Sequence, residues 1–357
     1  MSRSRVILAG LLVASLAAAC SSGGASSVVP SSSAPASAAP SAAVSASPEP
    51  SVTPTKLTVG LGYIPSVQFA QFYLAQQQGY YADAGLQVEF QNKVDPDLIR
   101  LVGQGTIDVG IGDGTSIIPA VSQAIPVQYV ATIYGQFPNI VFAKASSGIK
   151  TAADLRGKKI GTPGRYGSSW VMLQALLGSA GLTTSDVEIV EYPDYTQGAA
   201  VAQGAVDAAT GFVNNEPVQL ELNGDPAVIL HVDGVVALPG PGLIAGQATI
   251  EAKHDAIAAF VAATLRAMEE IKATPKVGLD AAIAAVPELA ATRATQAAIL
   301  DATIASWTGP VQTSGGLGAI DLAGWEASIP VLSGMGLVPN PVTVDAVVRT
   351  DLLPPGH

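Results

Sequence analysis

Cysteine is almost missing from this 357-residue chain. Cys20 is the only one, so an internal disulfide, a thiolate metal cage and a dithiol redox pair are all excluded. Histidine is nearly as scarce: His231, His254 and His357 stand at no metal-ligand spacing, and neither a Gly-x-Ser-x-Gly turn nor a helical His pair occurs. Carboxylates are scattered rather than paired, which leaves no general acid/base couple to nominate. Catalytic and metal-binding residues are therefore expected to be none, and no cofactor is implied. Basic residues number 17 against 28 acidic ones, and the formal charge of −11 argues against nucleic acid or an anionic bilayer surface as partner. Charged residues make up only 13%, which fits a compact body with few surface ion pairs. Two glycine-rich stretches fail as nucleotide motifs: 161–168 has no lysine before Ser168, and 110–114 is not a dinucleotide fingerprint.

At the start of the chain, Arg3 and Arg5 precede an uncharged run over 6–19 that is too short to cross a bilayer as a helix; residues 1–19 read as a signal peptide. The run ends in Leu16-Ala17-Ala18-Ala19-Cys20, small residues before a cysteine, as a bacterial lipoprotein signal ends, although Ala17 stands where Leu or Val is more usual. Cys20 is thus expected to carry lipid, and two or three acyl chains on one cysteine would hold the protein firmly at the outer face of a cell membrane. Residues 21–55 are nearly all Ser, Ala, Pro, Gly and Val, too poor in large apolar side chains to offset the entropy of ordering. With Cys20 they form an expected disordered tether over 20–55, whose mean reach as a flexible coil is about 30 Å. An O-glycosylated stalk fits the same composition. No second run of eighteen uninterrupted apolar residues follows.

The remaining 56–357 is too long for one comfortable core and suits two lobes. Residues 56–62 (KLTVGLG), 86–91 (LQVEFQ) and 106–111 (TIDVGI) read as strands separated by helices near 67–82 and 97–103, a β-α-β-α-β order that asks for parallel strands. About one hundred residues later the order recurs, with strands at 158–162 and 187–192 around a helix at 169–179. Even short words repeat: Ala84-Gly85-Leu86 returns as Ala180-Gly181-Leu182, and Gln104-Gly105-Thr106-Ile107-Asp108 as Gln203-Gly204-Ala205-Val206-Asp207. Residues 127–144, broken by Gly135 and Pro138, suit a strand that leaves one lobe and enters the other, and 228–232 with 242–248 bring the chain back. Two crossings at one edge make a hinge. The expected division is 56–143 with 240–357 as the first lobe and 144–239 as the second, the helices after 251 lying mostly on the first.

In open α/β sheets, ligands sit outside the carboxyl ends of the strands, beside helix N-termini. Four loop regions meet this condition: Tyr63, Gln68 and Phe69; Asp113, Gly114 and Thr115; Arg165, Tyr166 and Ser168; and the paired loops with Tyr192, Tyr195, Asn214 and Glu216. Tyr134 and Phe137 fall near the crossing. Aromatics are only 5% of the chain, yet seven of these residues are aromatic, and rings from two sides can sandwich a planar heterocycle. Asp113, Asn214 and Glu216 offer donors and acceptors to ring edges or hydroxyls, or else cap helices. Arg165, in a glycine-rich turn before a helix, suits a sulfonate, nitrate or phosphate, or else is a surface arginine.

The words Gly62-Tyr63-Ile64-Pro65-Ser66-Val67-Gln68-Phe69-Ala70 and Gly79-Tyr80-Tyr81-Ala82-Asp83-Ala84-Gly85-Leu86, supported by 103–114, 137–144 and 153–161, resemble the thiamine-pyrimidine (NMT-type) group of solute-binding proteins. The resemblance implies a type II periplasmic-binding-protein fold, two α/β lobes joined by a two-strand hinge. It also implies a monomer that captures a small molecule and hands it to the permease of an ABC importer with its ATPase. Members take up thiamine pyrimidine precursors, riboflavin, alkanesulfonates, taurine or nitrate. The 62–70 wording and Phe137-Pro138 look most like riboflavin-binding RibY-type lipoproteins. Fungal pyrimidine synthases of the group carry a cysteine-rich motif, for which no cysteine remains after Cys20.

Overall fold

A computed structural model describes residues 53–92 and 97–356; the expected signal peptide, Cys20 and nearly all of the tether lie outside the described residues. Ten strands follow in chain order: β1 (Thr55–Gly60), β2 (Leu86–Gln91), β3 (Val109–Gly112), β4 (Val127–Thr132), β5 (Asn139–Lys144), β6 (Lys159–Thr162), β7 (Glu188–Glu191), β8 (Ala208–Phe212), β9 (Ala227–His231) and β10 (Gly242–Gly246). They form two five-stranded sheets, ordered β2-β1-β3-β10-β4 and β7-β6-β8-β5-β9. In the first, β1 runs parallel to β2 and β3 while β10 is antiparallel to β3 and β4. The second repeats the pattern, with β6 parallel to β7 and β8, and β5 antiparallel to β8 and β9. In each sheet the antiparallel strand is the one that has just arrived from the other lobe.

The repeated words have one structural job. Asp108 accepts the Thr58 amide at 2.9 Å, and its own amide donates to the Thr58 carbonyl; Asp207 accepts the Lys159 amide at 2.8 Å and likewise donates back to Lys159. Each aspartate thus clamps the central parallel strand of its lobe, β1 or β6, to the strand that follows the aspartate. The preceding Gly105 and Gly204 hold φ +72° and +74°, the left-handed region in which a glycine carries no Cβ penalty.

Both crossings are short, at 133–138 and 232–241. They run side by side: Ile133 and Tyr134 donate to the Pro241 carbonyl at 3.1 and 2.8 Å, and the Phe137 amide hydrogen-bonds the Asp233 carboxylate. At Gly240 the approach is so close that a Cβ would lie 2.3 Å from the Tyr134 carbonyl oxygen. The expected boundary at 143/144 is displaced by this arrangement. All of β5 pairs with β8 and β9, so its backbone hydrogen bonds belong to the second sheet and the crossing precedes Asn139.

Helices fill the connections: α1 (Ala70–Gln77), α2 (Tyr80–Asp83), α3 (Leu98–Gly103) and α4 (Gly114–Ser122) in the first lobe; α5 (Gly167–Ser179), α6 (Gln197–Gln203) and α7 (Glu216–Leu222) in the second. Behind β10 come α8 (Gln247–Ala273), α9 (Pro275–Ala285), α10 (Arg293–Ser306), α11 (Pro310–Gly315) and α12 (Leu322–Gly334). On α8, Phe260 stacks on Phe72 and Tyr81 with ring centroids 6.3 and 5.0 Å apart, which locks the C-terminal helices onto the first lobe. On the sheet's other side Trp325 of α12 packs at 4.7 Å on Tyr129 of β4. Among the described residues no helix is long and apolar enough to cross a membrane.

Candidate ligand-binding cleft

The carboxyl ends of β1, β3, β6 and β8 face one another across a cavity of about 510 Å³. Its size falls in the range of small-molecule pockets. The first lobe contributes Tyr63, Gln68, Phe69, Gln71 and Asp113, the crossing contributes Tyr134, and the second lobe contributes Asn139, Tyr166, Ser168, Tyr195, Gln197, Phe212 and Glu216, among others. Phe69, Leu61, Ile111 and Ile133 make part of the wall apolar.

Contacts join the lobes at and beside this cavity. Tyr63 meets Tyr195 edge to face, with centroids 5.7 Å apart at 77°. Ser168 at the start of α5 donates to Asp113 Oδ2 at 2.6 Å. Asn214 donates to Thr303 Oγ1 on α10 at 2.8 Å and to the Tyr134 hydroxyl at 3.3 Å. Tyr195 holds φ +60°, a left-handed conformation that costs a non-glycine residue about 1 kcal/mol or more and that aims its ring at Tyr63.

Residues 66–277 match the family described as NMT1/THI5 like. Riboflavin-binding protein RibY of Chloroflexus aurantiacus is 33% identical over 318 residues, which cover 87% of this chain and 90% of that protein. The chain belongs to the NMT1/THI5-like family. A 4-amino-5-hydroxymethyl-2-methylpyrimidine phosphate synthase of Legionella pneumophila is also similar, 26% identical over 52% of this chain and 58% of its own. Among solved structures, the alkanesulfonate-binding protein SsuA of Xanthomonas axonopodis pv. citri bound to MOPS superposes with a TM-score of 0.64 at 18% identity, covering 83% of this chain and 99% of that one. The fold is therefore that of periplasmic binding proteins, as the resemblance at 62–70 and 79–86 implied.

Within this NMT1/THI5-like fold the residues singled out by sequence divide into two groups. Tyr63, Gln68, Phe69, Asp113, Tyr134, Tyr166, Ser168, Tyr195 and Glu216 line the cavity. Gly114, Thr115, Phe137, Arg165, Tyr192 and Asn214 do not, each for a physical reason. Thr115 donates through its amide and hydroxyl to Asp113 Oδ1, at 2.9 and 2.7 Å, beside the Asp113–Ser116 capping box that starts α4, and Gly114 lies against the Pro239 ring. Phe137 is buried in the core shared by the lobes, and Tyr192 packs beside the small cluster under α6 and α7. Asn214 is fully buried in its inter-lobe hydrogen bonds. Arg165 points outward: it pairs with Glu191 at 2.9 Å and lies 5.5 Å from the Trp170 ring.

Burial dominates the electrostatics. Glu216 is pushed up to about 7, although it accepts the Phe212 amide at 2.8 Å. Tyr63 rises to about 12, chiefly through burial and then through the Glu216 carboxylate. Tyr134 and Tyr195 rise for the same first reason, so the phenols stay protonated donors. No lysine or arginine lines the cavity among the described residues, and its only carboxylates are Asp113 and Glu216.

Three buried polar lining residues escaped the sequence reading: Gln71, Asn139 and Gln197. Gln71 follows Gln68 by three residues, so helical spacing puts it on the same face, a signal that was available. Asn139 is a polar first residue of an otherwise apolar strand, and Gln197 opens α6 two residues after Tyr195. Neither position carries a local signal, because each reaches the cavity only through the strand order of the second sheet.

Proposed function

We propose that this protein is the extracytoplasmic solute-binding component of an ABC importer and that it captures an uncharged planar heterocycle, a flavin such as riboflavin, between its lobes. The observation that carries the proposal is a cavity with rings on both sides, Tyr63, Phe69 and Tyr134 facing Tyr166, Tyr195 and Phe212, and with no basic side chain among its described lining residues. Rings on opposite walls favour a flat ligand by offset or edge-on stacking. The identity to RibY over nearly the whole chain favours the flavin over smaller rings. A sulfonate or nitrate would face Asp113 and Glu216 with no cation to offset its desolvation, because Arg165 is engaged with Glu191 outside the cavity.

A bound ligand would touch both lobes and so favour the shut arrangement through contacts that an open one lacks. The permease then recognises that shape. Binding without turnover is the activity in this reading. Cys20 is its lipid anchor, the tether lets the monomeric body move above the membrane, and the flavin or a related heterocycle is the only small-molecule partner.

Titration of riboflavin fluorescence tests the ligand. The expected result is saturable quenching that 4-amino-5-hydroxymethyl-2-methylpyrimidine competes only weakly; strong pyrimidine binding with unchanged flavin fluorescence would replace the flavin by the thiamine precursor. Recovery of chemically unchanged riboflavin after prolonged incubation distinguishes capture from catalysis.

A further inference from the structure

Three side-chain amides in the cleft hold carbonyl oxygens that no described residue meets. Gln71 on α1, Asn139 at the first position of β5 and Gln197 at the first position of α6 are each 1% exposed, all three line the cavity, and each leaves its side-chain oxygen without a hydrogen-bond partner. Buried amides that serve the fold are ordinarily paired, because an acceptor withdrawn from water without a donor is unfavourable. These three break that rule in one place, from both lobes.

The orientation of the Gln197 amide supports reading its oxygen as an acceptor. Gln197 Nε2 donates to the Thr210 carbonyl at 3.3 Å and lies 3.4 Å from Glu216 Oε1, so a flipped amide would set oxygen against oxygen. Asn139 Nδ2 donates to Ser169 Oγ at 2.9 Å. The Gln71 side chain makes no hydrogen bond among the described residues, so packing alone places it. Asp113 Oδ1 does not add to the set, since the Thr115 and Ser116 amides already occupy it.

We propose that Gln71, Asn139 and Gln197 are the selectivity set of the cleft. They are three carbonyl acceptors that demand N–H or O–H donors on the ligand and that, beside Asp113 and Glu216, exclude its phosphorylated form. This rests on the flavin reading for the identity of the ligand, but the demand for donors follows from the amides themselves. A ring N–H and sugar-alcohol hydroxyls meet the demand. A terminal phosphate offers further acceptors and negative charge to a cavity that has no cation to receive them.

The test uses the full-length protein, riboflavin and FMN as probes, and the variants Gln71→Met and Gln197→Met, which keep side-chain length and remove the amide. Wild-type protein is expected to bind riboflavin at least about a hundredfold more tightly than FMN, and each variant to bind riboflavin at least about tenfold more weakly than wild type. Equal affinity for riboflavin and FMN, or variants that bind riboflavin as wild type does, would overturn the proposal. A ligand-free arm stands apart from the flavin reading. Gln71→Met should raise the Tm of the unliganded protein, because an unmatched polar group is replaced by an apolar one of similar shape; a lowered Tm would mean that the Gln71 amide serves the fold and would overturn its place in the set. Wild-type protein that binds neither flavin while Gln71→Met raises the Tm would sink the flavin reading and leave the amide assignment supported.

Discussion

The two lobes are built from one plan and finished differently. Both sheets have the same strand order, and in both the second strand of that order, β1 or β6, is clamped by an aspartate from the repeated Gln-Gly-x-x-Asp word. The first sheet is then covered by α8, α9 and α10; buried Phe260 of α8 and Trp307, just past the end of α10, join Phe72 and Leu74 in a large core. In the second lobe the edge strands stay half-exposed or exposed, β7 throughout and β9 at all but Leu230, and α6 and α7 cover one face over a small cluster around Phe142, Val201 and Leu220. The helices that make the difference occur once in the chain, after the repeat has ended. A duplicated plan thus sets strand order in both lobes, while unduplicated sequence decides how well each sheet is shielded, and local stability follows shielding.

The same contrast appears at the cleft. Asp113 and Glu216 occupy equivalent turns, after β3 and β8. Asp113 caps its own helix through the Thr115 and Ser116 amides and receives Ser168 from the other lobe. Glu216, one residue further into its helix, is half-buried, accepts the Phe212 amide and is raised to about 7 by the loss of solvent around its carboxylate. One position holds the scaffold, and the other sets the charge of the cavity.

Core truncation should expose the difference between lobes most strongly. Phe260→Ala should cost about 3–5 kcal/mol, and Leu220→Ala in the second lobe about 2 kcal/mol, read from urea midpoints; equal losses would break the comparison. The two clamps come next. Asp108 also meets Lys253 Nζ at 2.7 Å, whereas Asp207 is exposed, so Asp108→Ala should cost about 2 kcal/mol and Asp207→Ala about 1 kcal/mol by the same measurement.

A pH dependence is expected to belong chiefly to Glu216. Its folded-state pKa lies above the ordinary 4.5, so the native state holds a proton that the unfolded chain has released, and stability falls as pH rises from about 4.5 to about 7 and levels off above. Asp233, raised by burial from 3.8 to about 6, adds in the lower part of that window. Glu216→Gln should flatten the slope of Tm against pH between about 5 and 7; an unchanged slope would mean that Glu216 titrates normally. The smallest effect is expected at Arg165. Its exposed pair with Glu191 is worth at most about 1 kcal/mol, and Arg165→Ala should leave riboflavin titrations unchanged.

Much of the fold was legible because its signals are local. β-branched runs bounded by glycine marked the strands, and the repeated words marked the twin lobes. The boundary at 143/144 slipped because 127–144 is apolar on both sides of its break, and hydropathy does not say which sheet receives β5. At the cleft, aromatic residues in loops were informative where the loop follows a strand end, as at Tyr63 and Tyr166. The prediction missed where a polar group found a partner in the protein: Asn214 bonds Thr303 from 89 residues away, and Arg165 bonds Glu191 from a neighbouring strand.

By itself the sequence determined the strand pattern, the duplication, the family and the poverty of metal-binding and nucleophilic residues, all properties of short words and composition. Only the tertiary structure decided which polar side chains are satisfied and which line the cavity with an unmatched oxygen. Gln71, Asn139 and Gln197 come from three elements and are ordinary glutamines and an asparagine along the chain. Their meaning depends on what stands within about 3 Å of each oxygen, because hydrogen bonding is a matter of contact across the fold rather than of order along it.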